Sequence, residues 1–220
     1  MIKKLFLCVL SIITCLIAHA GPGGKKPLFA ADLSNADYSP AVWSIDANGV
    51  ISATADQAIW TTREYKNFEL ELEFKTDKCT NSGVVIYCTD KKNWIPNAVE
   101  IQIADDYCDH FEQSASTASC GAVYGHLAPS GFKIVKKPGE WNKMKITAKG
   151  KNIKVALNGK KITAMDMNLW TSGTTNPDGS SIPSWMPKPF AELPAGGYIG
   201  FQGKHGEAFI WFRNIKIKEL

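Results

Sequence analysis

From Phe68 to Phe74 the chain alternates without a break, Phe68, Leu70, Leu72 and Phe74 against Glu69, Glu71 and Glu73. Successive side chains of a strand point to opposite sides of a sheet, so the stretch reads as a half-buried strand, apolar inward and glutamates to solvent. Turn signals and short strand-like runs surround it. Val42 to Ile45 and Val50-Ile51 flank Asn48-Gly49, a pair that supplies the positive φ of a tight hairpin. Trp141 to Ala148 and Asn152 to Leu157 turn at Lys149-Gly150, and Asn158-Gly159 turns again into Lys160 to Thr163. Further strands are expected at Ala58 to Thr62, Ser82 to Cys88, Gly121 to Tyr124, Tyr198 to Gln202 and Phe209 to Lys218. Helical periodicity is almost absent. Many short strands at short spacing predict an all-β sandwich of two antiparallel sheets. Ser82 to Cys88 is nearly all apolar, as in a strand covered on both faces, and belongs in the middle of the sandwich beside the strand at Val99.

The first residues read differently. Met1-Ile2-Lys3-Lys4 precedes an apolar run from Leu5 to Ala18 and then Ala18-His19-Ala20. A basic start, a short apolar core and small residues at a cleavage site predict a signal peptide over 1–20, too short for a membrane span. Cys15 within Ile12-Ile13-Thr14-Cys15 is a second-choice lipid anchor, with Thr14 atypical before a lipidated Cys. Residues 21–26 form a Gly- and Lys-rich flexible lead-in, and 27–220 a single domain with no internal repeat. Losing Lys3 and Lys4 takes the formal charge from +4 to +2. The remaining lysines alternate along strands, which argues for solvated outer faces and against a nucleic-acid partner. Of six cysteines, Cys8 and Cys15 leave with the leader. Cys79, Cys88, Cys108 and Cys120 then allow three pairings. Cys108 and Cys120 flank a polar loop and are expected to bond. Cys79 and Cys88 flank an extended run and should not bond to each other. No close Cys-x-x-Cys pair points to zinc, and no ligand spacing supports a bound divalent cation.

Val99-Glu100-Ile101-Gln102-Ile103-Ala104-Asp105 also alternates, but its polar face is unlike that of Phe68 to Phe74. Glu100 and Gln102 share it, Asp105 follows, and Asn81, Ser82, Tyr87, Trp94, His110, Tyr124 and His126 crowd both sides in sequence. Gln202-Gly203-Lys204-His205-Gly206 is the next polar cluster after a strand-like run. This strand is expected to floor a sugar-binding cleft, with Glu100 as central acid or base. Asp166 to Pro194 is Pro-rich and long, and carries Trp170 and Trp185; a loop of this kind is expected to be functional and to cover the cleft.

Phe68-Glu69-Leu70, Asn81-Ser82-Gly83-Val84, Val99-Glu100-Ile101-Gln102-Ile103, Gly121-Ala122-Val123-Tyr124-Gly125, Pro138-Gly139-Glu140-Trp141-Asn142, Leu157-Asn158-Gly159, and Gly200-Phe201-Gln202 through His205-Gly206 to Phe212-Arg213-Asn214-Ile215 occur in that order. With this order and spacing the chain resembles the 3-keto-disaccharide hydrolase family. It departs at Tyr87-Cys88, where the family often has an Arg, and in carrying Cys108 and Cys120. The resemblance implies a concanavalin A-like jelly roll, export to the periplasm or surface of a bacterium, and a 3-keto sugar glycoside as substrate. A ketone at C3 acidifies the C2 proton, so the implied route is proton abstraction, elimination at C1 and hydration. That needs a base, an oxyanion donor and an acid. Glu100 suits the base and His205 or Tyr124 the acid. Asn81, Gln202 or Arg213 suits the oxyanion, with Gln102, Asp105, Trp94, Trp170 and Trp185 as further substrate contacts. No dinucleotide fingerprint is present and no cofactor is expected. Two other readings compete: a retaining glycosidase using Glu100 and Asp105, and a non-catalytic carbohydrate-binding module using Trp94, Trp170 and Trp185 as stacking platforms.

Overall fold

The computed structural model describes residues 23–131 and 133–220. The expected leader at 1–20, with Cys15, lies outside them. Thirteen strands follow in order: β1 (Lys26–Pro27), β2 (Ala36–Asp37), β3 (Trp43–Ile45), β4 (Ile51–Ala53), β5 (Ile59–Thr61), β6 (Phe68–Thr76), β7 (Asn81–Cys88), β8 (Val99–Ala104), β9 (Trp141–Lys149), β10 (Asn152–Leu157), β11 (Lys160–Asp166), β12 (Tyr198–Phe201) and β13 (Ile210–Glu219). They form an all-β jelly-roll sandwich of two antiparallel sheets. The larger runs β11-β10-β9-β6-β13-β4-β3, with β1 added to β13; the smaller runs β2-β5-β12-β7-β8. Lys26 and Pro27 pair with Ile217 and Lys216, and Lys25 ion-pairs with Glu69 and Glu71, so the sandwich takes in the end of the expected lead-in. No described helix is long and apolar enough to cross a membrane.

The alternation of β6 is realised residue by residue. Phe68, Leu70, Leu72 and Phe74 are buried in the interior, where Phe212 and Ile217 of β13 join them. From the smaller sheet Val84, Ile86, Ile101, Ile103 and Phe201 face the same interior. The glutamates of β6 face outward and pair there: Glu69 with Lys145 at 3.0 Å, Glu73 with Arg213 at 2.7 Å. β7 is covered on both faces, since Val85 and Cys88 join Trp60 and Ala98 in a second apolar cluster on the sheet's outer side. Its neighbours are β12 and β8, in register Val85↔Glu100 and Gly83↔Gln102.

The disulfide is not the expected one. Cys79 bonds Cys108, with Cα atoms 5.1 Å apart, while Cys120 is a buried free thiol. The register is the reason. Asn81 at the start of β7 pairs with Ala104 at the end of β8, so the turn before β7 and the turn after β8 share one end of the sheet. Asp105 ties the same two turns, accepting the backbone N–H groups of Cys79 (2.9 Å) and Tyr107 (3.1 Å). Asp106, also buried, accepts the N–H of Cys120 at 2.9 Å.

Residues 166–194 likewise depart from expectation. Trp170, Ile182, Met186, Phe190 and Leu193 are buried and belong to the main core. The Trp170 indole N–H donates to Asn176 Oδ1 at 2.9 Å, and Phe190 stacks on His126 with ring centroids 3.7 Å apart. Most of the segment's apolar side chains therefore finish the core, and Trp170 faces no open cleft. Trp185 alone of its two tryptophans is exposed, at 56%.

Candidate functional site

The outer face of the smaller sheet carries the polar residues of β8. Val99, Ile101 and Ile103 face the interior, so Glu100 and Gln102 must face out. On an ordinary outer face they would be solvated. Here Glu100 is 7% exposed and Gln102 1%. Neighbouring glycines create the recess. A methyl on Gly83 would meet Glu100 Oε1 at 2.3 Å, so the carboxyl lies directly over that glycine. A methyl on Gly200 would meet the Trp60 ring at 2.4 Å, so the indole covers the adjoining strand. Trp94 meets Trp60 edge-on with centroids 6.4 Å apart, and the two rings, packed with Val85, form an aromatic wall on this outer face.

At the β8 edge, Gly121 to Tyr124 runs alongside, not as the expected strand but as a turn-rich segment with a single bridge, Val123 to Ile101. Gln102 N–H donates to Ala122 O, Gly121 N–H to Gln102 O, and Tyr124 N–H to Glu100 O at 3.0 Å. The last of these sets half-buried Tyr124 next to Glu100. Gln102 Nε2 donates to Asn81 Oδ1 at 3.0 Å, and Asn81 forms a backbone bridge to His205. Gln202 follows the inward Phe201 and donates its N–H to Gly83 O; its Oε1 is buried without a donor among the described residues. Glu100, Tyr124, Asn81, Gln102, Gln202, His205 and Trp94 thus gather on one face.

The electrostatics single out Glu100. Burial pushes its carboxyl up to about 8, and the negative charge of Asp56 adds to the effect. Among the described residues nothing hydrogen-bonds that carboxyl. Burial, and then the Glu100 charge, raise the Tyr124 phenol above its ordinary value. His205 Nδ1 meets Asp56 Oδ2 at 2.6 Å. Neither Asp56 nor Trp60 stands out in the sequence; only Gly200, within the apolar run Tyr198 to Phe201, signals a ring packed close on the backbone.

Three expected contacts lie elsewhere. Arg213 is on the outer face of the larger sheet, paired with Glu73 and stacked 3.9 Å over Trp141. The sandwich interior, on the order of 10 Å thick, separates it from Glu100. Asp105 is spent on backbone N–H groups at the disulfide turns and leaves no carboxylate pair with Glu100. Trp170 is core. No group of three or more His, Cys, Asp or Glu among the described residues is placed to hold a metal.

A crystal structure from Parabacteroides distasonis, provisionally designated a glycosyl hydrolase, is 62% identical and superposes with a TM-score of 0.88 over 90% of this chain and 100% of that one. A second structure of the same provisional designation and organism is 24% identical (TM-score 0.69, 90% and 94% covered) and shares the fold. A curated 3-keto-disaccharide hydrolase of Bacteroides thetaiotaomicron is 30% identical over 178 residues, 71% of this chain; the match spans 60% of that relative's length. The model of the 3-keto-alpha-glucoside-1,2-lyase-like domain matches residues 25–218, and the chain belongs to that family.

Proposed function

We propose that the outer face of the five-stranded sheet is the active site of an enzyme that cleaves 3-keto-glycosides by elimination and hydration. The observation that carries this is Glu100, a carboxyl recessed over Gly83 with its proton affinity raised to about 8 and with no hydrogen-bond partner among the described residues. A base of that strength suits abstraction of a proton that a neighbouring ketone has acidified. Glu100 takes the C2 proton and the electron pair moves onto the ketone oxygen. The pair then returns as a C1–C2 double bond while the C1–O bond breaks, and the leaving oxygen takes a proton from His205 or Tyr124. Water adds at C1 and Glu100 returns a proton to C2. Asn81 and Gln202 carry amides on the same face for the developing oxyanion, and the Trp60–Trp94 wall offers an apolar surface to a sugar ring. The family and the name of its curated relative support the substrate class.

Product release from a 3-keto glucoside, measured beside the same glucoside unoxidised, tests the reading. Cleavage of the keto substrate alone is expected, with solvent deuterium entering C2 when the reaction runs in D₂O. Equal cleavage of both would point to an ordinary glycosidase, and binding without cleavage to a carbohydrate-binding module. Export to the periplasm or cell surface belongs to the same proposal. N-terminal sequencing from the native host should begin near Gly21; a lipidated Cys15 would instead place the protein on a membrane.

A further inference from the structure

Asp56 lies on the loop between β4 and β5, and His205 on the loop between β12 and β13. The two loops are laid against each other by the backbone. Lys204 N–H donates to Ala55 O at 3.0 Å. A methyl on Gly203 would come within 2.4 Å of Ala55 O and 2.5 Å of Gln57 O, so this approach depends on glycine. The result is the 2.6 Å contact of His205 Nδ1 with Asp56 Oδ2. Both side chains are about half exposed, 50% and 47%. A contact so placed contributes little to stability, and its consequence is orientation. With Nδ1 committed to a carboxylate, the neutral ring carries its hydrogen there and presents Nε2 as its free nitrogen. The pair sits at the rim of the face already described: His205 bridges Asn81, Asn81 accepts from Gln102, and Gln102 shares the outer face of β8 with Glu100. Lys204 and Glu207, near His205 in sequence, pair with each other at 3.5 Å, and the Asp56 charge also reaches Glu100.

We infer that Asp56 is a positioning residue of this site, holding His205 through Nδ1 so that Nε2, protonated in the imidazolium, delivers the proton to the departing oxygen. The inference rests on the elimination reading and divides the work between the two candidate acids. The imidazolium loses its Nε2 proton as the C1–O bond breaks, and the ring keeps its Nδ1–H, donated to Asp56. It regains a proton from water before the next turnover. Tyr124, seated against Glu100, is left to the sugar ring.

Two measurements test it. The first compares leaving groups. A glucose aglycone needs protonation as it departs; 4-nitrophenoxide does not. Asp56→Asn and His205→Ala should each slow release of glucose from a 3-keto-disaccharide by ~10²-fold, the scale of a lost proton donor, and should slow release from 4-nitrophenyl 3-keto-glucoside by about tenfold less than that, with Asp56→Glu recovering part of the loss. Equal loss on both substrates would show that Asp56 only supports the fold of the loops, and no loss on either would remove it from the site. The second needs no turnover. Imidazole ¹⁵N–¹H correlation spectra should show neutral His205 as the Nδ1–H tautomer in the wild type and as mainly Nε2–H in Asp56→Ala. An unchanged tautomer would overturn the inference. A wild type inactive on both substrates would overturn the elimination reading and the acid role with it, while the spectra would still decide whether Asp56 orients the ring.

Discussion

Glu100 shows how far one side chain's chemistry depends on the residues that carry no chemistry. Gly83 makes room beneath it, Val85 across the register is apolar, and Asp56 contributes a like charge. The unfolded chain ionises this carboxyl from about 4.5 upward, whereas the folded one holds its proton to about 8. Between those values the unfolded state binds fewer protons, so stability falls as pH rises and levels off above 8. Glu100→Gln keeps the size and loses the ionisation. Its melting temperature should therefore match the wild type near pH 4 and exceed it by a widening margin up to pH 8, while turnover falls by ~10²–10⁴-fold. In the wild type, kcat/KM should climb through about pH 8 as the base ionises, and thermal melts and rates across pH 4–9 check both signs. A more stable yet fully active Glu100→Gln enzyme would remove Glu100 from the mechanism. The candidate role of Glu100 is legible in the sequence because alternation assigns it a face and crowding by polar residues marks that face. Asp56 is not legible, since nothing near Ala55-Asp56-Gln57 shows that it meets a loop 149 residues away.

At the level of strands and turns, local pattern and long-range register divide the same way. Hairpins written in adjacent residues fold as read: Asn48-Gly49 joins β3 to β4, Lys149-Gly150 joins β9 to β10, and Asn158-Gly159 joins β10 to β11. The disulfide requires knowing that β7 and β8 pair with Asn81 opposite Ala104, which no local pattern states. Arg213 fails for a related reason: its strand pairs with β6 and β4 in the larger sheet, and alternation cannot say to which sheet a strand belongs. The Cys79–Cys108 bond closes a loop with a sequence separation of 29, a constraint on the unfolded chain worth ~3–4 kcal/mol in the chain-entropy model. Cys79→Ser should lower the denaturation midpoint by a corresponding amount, and Cys120→Ser should leave the bond intact. Peptide mapping without reductant checks the pairing; recovery of a Cys108–Cys120 peptide from the wild type would contradict it.

For the molecule as a whole, the long segment after β11 decides how the sandwich is closed. Its composition, rich in Pro, Ser, Thr and Gly, reads as surface loop, yet six of its large apolar side chains, Met167 included, are core. Composition misleads here because the prolines do not exclude the segment from the interior; they only prevent it from forming strand or helix. Polar groups carried inward are satisfied locally: Asn176 accepts the Trp170 indole N–H and donates to Gly125 O at 3.2 Å. The same segment reaches the site's edge, because Pro183 and Met186 pack against Gly125, the residue after Tyr124. The two tryptophans should accordingly part company. Trp170→Ala removes a buried ring and strands a buried amide, and should cost ~3–5 kcal/mol, lowering the melting temperature by about 10 °C. Its effect on KM for a 3-keto-disaccharide should be small in the fraction that remains folded. Trp185 lies exposed one residue from Met186, so Trp185→Ala should leave melting within about 1 °C, as surface substitutions do. If it touches the aglycone, loss of its stacking surface raises KM by a few-fold to about tenfold. Equal melting temperatures for the two variants would mean that the segment covers the sandwich without completing its core.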